Sequence, residues 1–455
     1  MTPFDMTEKP SKQYFFLMPL IWLAAYIDTR KFSLRIDKSG IKGLKPPYLV
    51  IATHQGPADY SAAPLALFPH RGIYVSDMEG FAYYGKWLYR GLGCIGKRRF
   101  VSDITVVKNM KRALMMKQPV VVYPESRHSN VGTTAYIPKN LGKLCKFMDV
   151  PVVIFTLYGS YLANPFWDEL NTRKLPLEGR IYKLYDREKV RSLSAEEIQS
   201  SVEDALRYDE YKYQLDKKIM ITEPDRAKGL HKALYICRKC GARYRMQSAG
   251  DILSCTSCDS RFRLREDGYL EDVTTRLPEN AAEDEMHAGV KGEDTCCEGK
   301  GFECKGREDK VREGKSCEGK GGKLYMIPDW YEWERELEIE RAKSQIESGS
   351  FVREYHVRVE ALPGQQGFVR LGKGMLALDE NEFTVSFGKE VLHFPHRIRE
   401  SVQTEYDYRG IRGQCIVLST KDCCYYLYSD DENFNPTELQ FLGEWLFVRA
   451  CDKRG

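Results

Sequence analysis

The sequence predicts an α/β first domain, with a central sheet flanked by helices, then a small cysteine-held ribbon and a β-rich C-terminal domain. Three observations predict it. Between residues 45 and 185 short apolar runs alternate with helical stretches, the pattern of strands joined by helical crossovers. Two Cys-x2-Cys pairs fall between Cys237 and Cys258. Beyond residue 350, short runs of β-branched and aromatic residues recur with turn residues between them,. A chain of 455 residues with 42% hydrophobic residues supports two or three cores,. A net charge of +4 is small for this length and implies no nucleic-acid partner,.

At the N-terminal end, Tyr14 to Ile27 (YFFLMPLIWLAAYI) is strongly apolar. It is shorter than the roughly 20 residues that span a bilayer, and Pro19 interrupts it. Flanked by Lys12, Arg30 and Lys31, it reads equally well as a helix in the membrane interface or as a helix packed on the next domain,. Strands are predicted at Tyr48 to Thr53, Gly72 to Ser76, Val120 to Tyr123, Val152 to Leu157 and Arg180 to Leu184. Helices are predicted near Ala58 to Leu67, Gly80 to Leu92, Ser102 to Met116 and Lys139 to Met148, with a charged helical stretch over 194–219 closing the domain,.

Cys237, Cys240, Cys255 and Cys258 present two thiolate pairs fourteen residues apart, a spacing that fits one tetrahedral structural zinc in a ribbon. Four thiolates leave no open position, so this metal is not catalytic. Basic and acidic residues are mixed around the ribbon, which again does not favour nucleic acid. Residues 280–324 are rich in Gly, Glu and Lys and read as a disordered linker,. A helix over Asp329 to Glu347, several strands and an amphipathic helix over Pro436 to Val448 follow,. Strands closed by one helix resemble a pleckstrin-homology-like barrel. The expected divisions are 1–40 (apolar segment), 41–225 (first domain), 232–272 (ribbon), 280–324 (linker) and 325–455 (helix plus β-rich domain). The scattered cysteines, 14 in all, do not form a secreted disulfide framework and suit a reducing, cytoplasmic setting,.

The chemistry is carried by four segments of the first domain. His54 and Asp59 sit five residues apart across a strand-to-helix junction, where a carboxylate can orient an imidazole that takes a proton from a hydroxyl. Gly93 to Arg99 (GCIGKRR) places Lys97, Arg98 and Arg99 together, a set suited to phosphate,. Pro124 to Ser129 (PESRHS) follows a strand and offers Glu125, Arg127 and Ser129. Val150-Pro151-Val152 opens an apolar strand. Tyr158 to Trp167 (YGSYLANPFW) reads as the lining of an acyl channel or as core.

In this order, the four segments resemble those of the lysophospholipid acyltransferase family, the glycerolipid acyltransferases that include 1-acylglycerol-3-phosphate acyltransferase. The third segment departs from that family's Pro-Glu-Gly-Thr-Arg-Ser: the arginine stands one position early, at Arg127, and His128 takes its place. The resemblance covers roughly residues 15 to 190. It implies an acyltransferase fold and transfer of an acyl group from acyl-CoA or acyl-carrier protein to a lysophospholipid hydroxyl, in phospholipid synthesis. His54 is then the general base and Asp59 orients it, while Lys97, Arg98, Arg99, Glu125, Arg127 and Ser129 hold the acceptor. It also implies a peripheral protein on the inner membrane face, with residues 14–27 at the surface. Two alternatives stay open: a non-catalytic lipid-binding scaffold built on the same fold, and an acyltransferase for a non-glycerol acceptor.

Overall fold

The computed structural model describes residues 5–168, 171–274, 322–364, 367–408 and 413–452. The expected linker falls mostly on 275–321, outside the described residues.

Seven strands form the sheet of the first domain: β1 (Arg35–Gly40), β2 (Leu49–Ala52), β3 (Ile73–Asp77), β4 (Cys94–Lys97), β5 (Val120–Val122), β6 (Val152–Tyr158) and β7 (Glu178–Tyr185). Their order is β1-β7-β6-β2-β5-β3-β4. The five strands from β6 to β4 are mutually parallel, β7 runs antiparallel to β6, and β1 pairs parallel to β7. The central strands are apolar throughout because both faces are covered,. Leu49, Ile51, Val120, Val152 and Ile154 pack under the helices Ile104–Met115 and Leu141–Met148. Val50, Ala52, Val121 and Val153 pack under the helix Ala58–Leu67 on the other face. Alanines 58, 62, 63 and 66 of that helix are buried, so its backbone lies close to the sheet.

Two edge strands, β1 and β4, were not expected. The sheet thus begins at Arg35, ahead of the expected boundary at residue 41, and the basic segment at residues 93–99 contains β4. The helix expected over Gly80 to Leu92 is two helices, Met78–Tyr84 and Lys86–Gly91, broken at Gly85 with φ +78°. Pro19 sits in the first turn of the helix Met18–Arg30, where its missing N–H costs nothing,. It starts that helix rather than interrupting it.

The ribbon is a five-stranded sheet formed by residues 246–249, 252–255, 261–264 and 270–272, with Leu324–Tyr325 added at one edge from beyond the expected linker. Its cysteine end packs on the helix Ile327–Glu347: Trp330 Nε1 donates to the Ile236 carbonyl at 3.0 Å, and Glu334 accepts from the Ile236 N–H at 2.8 Å. Trp330, Phe262, Trp167 and Phe441 belong to one core shared by all three units.

The C-terminal domain is a curled antiparallel sheet of seven strands. The first, Arg353–Leu362, is flanked by the second, Val369–Leu378, and the last, Cys424–Ser429. The edges are Glu390–Pro395 and Gln403–Tyr406. The second strand passes through Gly372 at φ +113°. The closing helix, Pro436–Asp452, is buried on nearly every side of its first two turns. Glu438, Gln440 and Glu444 bond to Arg353, Asn130 and Arg127. An amphipathic pattern predicts one wet face, but here Gln440 and Glu444 of that face meet the first domain. Met78 and Phe81 of the first domain also pack against Leu362, Cys415, Val417 and Tyr426 of this sheet.

Candidate active site

The carboxyl ends of β2, β3, β4 and β5 converge on one pocket, lined by His54, Tyr60, Asp77, Lys97, Arg99 and Ser126 among others. His54 leaves the end of β2. Its Nδ1 lies 3.2 Å from Asp59 Oδ2, and the same oxygen accepts from the Gln55 and Gly56 N–H groups at 2.6 and 3.1 Å. Asp59 is in the first turn of the helix Ala58–Leu67, where the helix dipole favours a carboxylate,. The bend requires glycine at 56, since a Cβ there would meet the Ser160 carbonyl oxygen at 2.8 Å.

The Asp59 carboxylate fixes the proton of a neutral His54 on Nδ1 and leaves Nε2 as the basic atom. The Tyr60 hydroxyl lies 3.3 Å from Nε2. The rings of Tyr123 and His128 pack on His54 with centroids at 4.6 and 4.4 Å. Burial, and then the charge of His128, push the His54 pKa down to about 4 against the pull of Asp59. His54 is therefore neutral, and ready to accept a proton, throughout the physiological range.

Glu125, expected to touch substrate, has both oxygens committed elsewhere. One accepts from the His54 N–H at 2.8 Å; the other accepts from the Ala135 N–H and the Tyr208 hydroxyl at 2.8 and 2.9 Å. It ties the ends of β2 and β5 together and so places His54. Burial raises its pKa to about 7. The Ser129 hydroxyl donates to the Thr133 carbonyl at 2.6 Å and closes a turn, away from the pocket.

The four expected phosphate-binding cations divide. Lys97 and Arg99 line the pocket. Arg98 and Arg127 do not. Arg98 donates to the carbonyls of Lys421, Asp422 and Pro363 at 2.6, 3.0 and 3.3 Å. Arg127 donates to Glu444 at 2.8 Å and to Ser401 at 3.0 Å. Both point into the C-terminal domain, where their partners lie. Tyr60, Asp77, Tyr123 and Ser126 were missed. Asp77 carries only the sequence signal of a helix cap, which it also is.

Two larger apolar cavities border the pocket. One, of about 530 Å³, shares Val75, Lys97 and Ser126 with it and runs past Phe100, Met110 and Leu144 to Ile398 and Phe447 of the C-terminal domain. The other, of about 410 Å³, shares Tyr60, Val75, Asp77 and Tyr123 and reaches Tyr83, Tyr84 and Tyr89 and, at the N-terminal helix, Ile21. The segment Tyr158 to Trp167 lines neither cavity; Tyr161, Leu162, Phe166 and Trp167 are core.

Residues 35–156 match the family model described as Acyltransferase. The protein is an acyltransferase. The matched span holds both members of the His54–Asp59 pair and every pocket residue named above. The fold is also similar to the crystal structure of the 1-acyl-sn-glycerophosphate (LPA) acyltransferase PlsC from Thermotoga maritima, at 18% identity and a TM-score of 0.36, covering 42% of this chain and 77% of that one. No curated protein matches the sequence.

The four cysteine Sγ atoms of the ribbon lie within 4.8 Å of one another. Cys237 to Cys258 and Cys240 to Cys255 are 3.7 and 3.8 Å apart, too far for disulfides. A tetrahedral ion at a metal–sulfur distance of about 2.3 Å sets these edges at about 3.8 Å, so the donor set fits a metal ion. Gly241, at φ +71°, gives the first knuckle its turn.

Proposed function

We propose that the protein transfers an acyl group from a thioester donor, acyl-CoA or acyl-carrier protein, to the free hydroxyl of a lysophospholipid-type acceptor during phospholipid synthesis. The observation that carries this reading is the buried His54–Asp59 pair at the meeting point of the pocket and two apolar cavities.

The acceptor hydroxyl displaces the Tyr60 hydroxyl from His54 Nε2 and gives up its proton there as its oxygen attacks the thioester carbonyl. Asp59 stabilises the imidazolium that forms. The carbon–sulfur bond breaks, and the proton held by His54 passes to the departing thiolate. No covalent acyl-enzyme is required. The two cavities receive the donor and acceptor chains, and Lys97 and Ser126, bonded at 2.8 Å, stand where polar parts of the substrates meet.

The N-terminal helix delivers the site to a membrane surface. Phe15, Phe16, Leu20, Leu23, Tyr26 and Ile27 are all more than half exposed, beside the cavity that reaches Ile21. Such an apolar face suits the headgroup boundary. Among the described residues no helix is long and apolar enough to cross a membrane. In the ribbon, Cys237, Cys240, Cys255 and Cys258 would hold structural zinc. The seven-strand order and closing helix of the C-terminal domain resemble a pleckstrin-homology-like barrel, here used to brace the active-site loops. Purified protein incubated with each donor and a panel of lysolipids tests the reading by mass spectrometry: a diacyl product is expected, and no product with either donor contradicts it.

A further inference from the structure

Arg99, one of the two cations that line the pocket, is already neutralised by the protein itself. Arg99 lies between three carboxyl groups: Asp77 at 2.9 Å, Glu405 at 2.9 Å and Glu79 at 3.6 Å. Asp77 spends its other oxygen capping the helix Met78–Tyr84, which aims Oδ2 at Arg99. Glu79 is held in place by the hydroxyls of Tyr408 and Tyr426. Glu405 comes from the edge strand Gln403–Tyr406, so the C-terminal domain supplies part of this charge. Lys97 donates to Ser126 Oγ at 2.8 Å and shares a cavity wall with Glu400. Arg98 and Arg127 are turned away and bonded to the C-terminal domain. Arg99 thus faces three acidic side chains, Asp77, Glu79 and Glu405, while Lys97 is held by a hydroxyl. A phosphate dianion entering here would have to displace a carboxylate from Arg99 and remain beside it.

We propose that the acceptor brings a head of no net negative charge to this pocket, either uncharged or amine-bearing, and that the Arg99–Glu405 pair excludes phosphomonoester lysolipids such as 1-acylglycerol-3-phosphate. This rests on the acyl-transfer reading; the amine-bearing class lies within the lysophospholipids, and the uncharged class lies outside them. Like-charge contact is the means of exclusion, and it acts on specificity rather than on the chemical step. The uncharged and amine-bearing classes share the relevant property, the absence of a dianion next to Asp77 and Glu405, and the acceptor panel separates them.

The test uses the full chain with one acyl chain length on three acceptors: 1-acylglycerol, 1-acylglycerophosphoethanolamine and 1-acylglycerol-3-phosphate, each with acyl-CoA and with acyl-carrier protein as donor. The expected kcat/KM for 1-acylglycerol-3-phosphate is at least about tenfold below that of the better of the other two. Glu405→Gln, which uncovers Arg99, is expected to narrow that ratio about tenfold, one like charge having been removed. The wild-type ratio decides the proposal even if the variant does not fold. A wild-type preference for 1-acylglycerol-3-phosphate, or a ratio unmoved in a folded Glu405→Gln protein, overturns the inference while leaving acyl transfer standing. No turnover with any acceptor and either donor overturns the acyl-transfer reading and the inference together.

Discussion

Arg127 and Glu444 meet at 2.8 Å across the boundary between the first and C-terminal domains, both in buried positions. Glu444 also takes Arg335 at 2.6 Å, and the two guanidinium groups hold its carboxyl down at about 2 despite burial. Glu444→Ala leaves two cations buried without this partner, so a loss of about 3–5 kcal/mol is expected. Arg127→Met is expected to cost less, because Glu444 keeps Arg335. Urea unfolding of both variants measures this, and a Glu444→Ala loss under about 1 kcal/mol contradicts it.

The pH dependence of transfer follows from His54. A general base acts in its neutral form, and burial extends that form down to about pH 4. The acid limb of kcat/KM is expected near pH 4, not near the 6.5 of free imidazole. The linkage to stability has a definite sign. Between about 6.5 and 4 the unfolded chain takes the proton first, so this site costs stability as pH falls through that window and nothing above it. A pH–rate profile with an acid limb near 6.5 contradicts the account.

Metal removal is expected to affect more than the ribbon. The Cys237 knuckle adjoins Ile236, whose N–H and carbonyl bond to Glu334 and Trp330. Chelation, or Cys258→Ser, is expected to release about one zinc per chain and to lower the thermal midpoint of the whole protein, because structural zinc supplies folding energy directly. Metal analysis and a thermal scan test this. Full thermal stability in metal-free protein contradicts it.

Membrane association is tested at the exposed helix face. Leu20→Glu with Leu23→Glu changes residues that are 63% and 54% exposed, so the fold is expected to persist while binding to anionic vesicles falls at least about tenfold. Unchanged vesicle sedimentation contradicts a role for this face.

The fold was legible where burial writes a pattern. Strands β2, β5 and β6 are covered on both faces and read as unbroken apolar runs. Strand β1 (RIDKSG) is a largely exposed edge held by backbone pairing to β7, and its composition says nothing of a strand. Gln403–Tyr406 is fully buried yet polar, because its neighbours across the domain boundary are polar: Thr404 faces Asn130 and Glu405 faces Arg99. At the site, the spacing from His54 to Asp59 was readable because one strand-to-helix junction brings the pair together. The fates of Arg98 and Arg127 were not. Their partners lie hundreds of residues away in sequence, and Arg98 bonds to carbonyls, which carry no sequence signal.

The measurement that tests the central claim most directly is the rate of thioester consumption by wild-type protein and by His54→Ala, each with a saturating lysolipid and matched thermal midpoints. Transfer is expected to fall by about 10²–10⁴-fold in the variant. Activity within a few-fold of wild type in a folded His54→Ala protein would show that His54 is not the base.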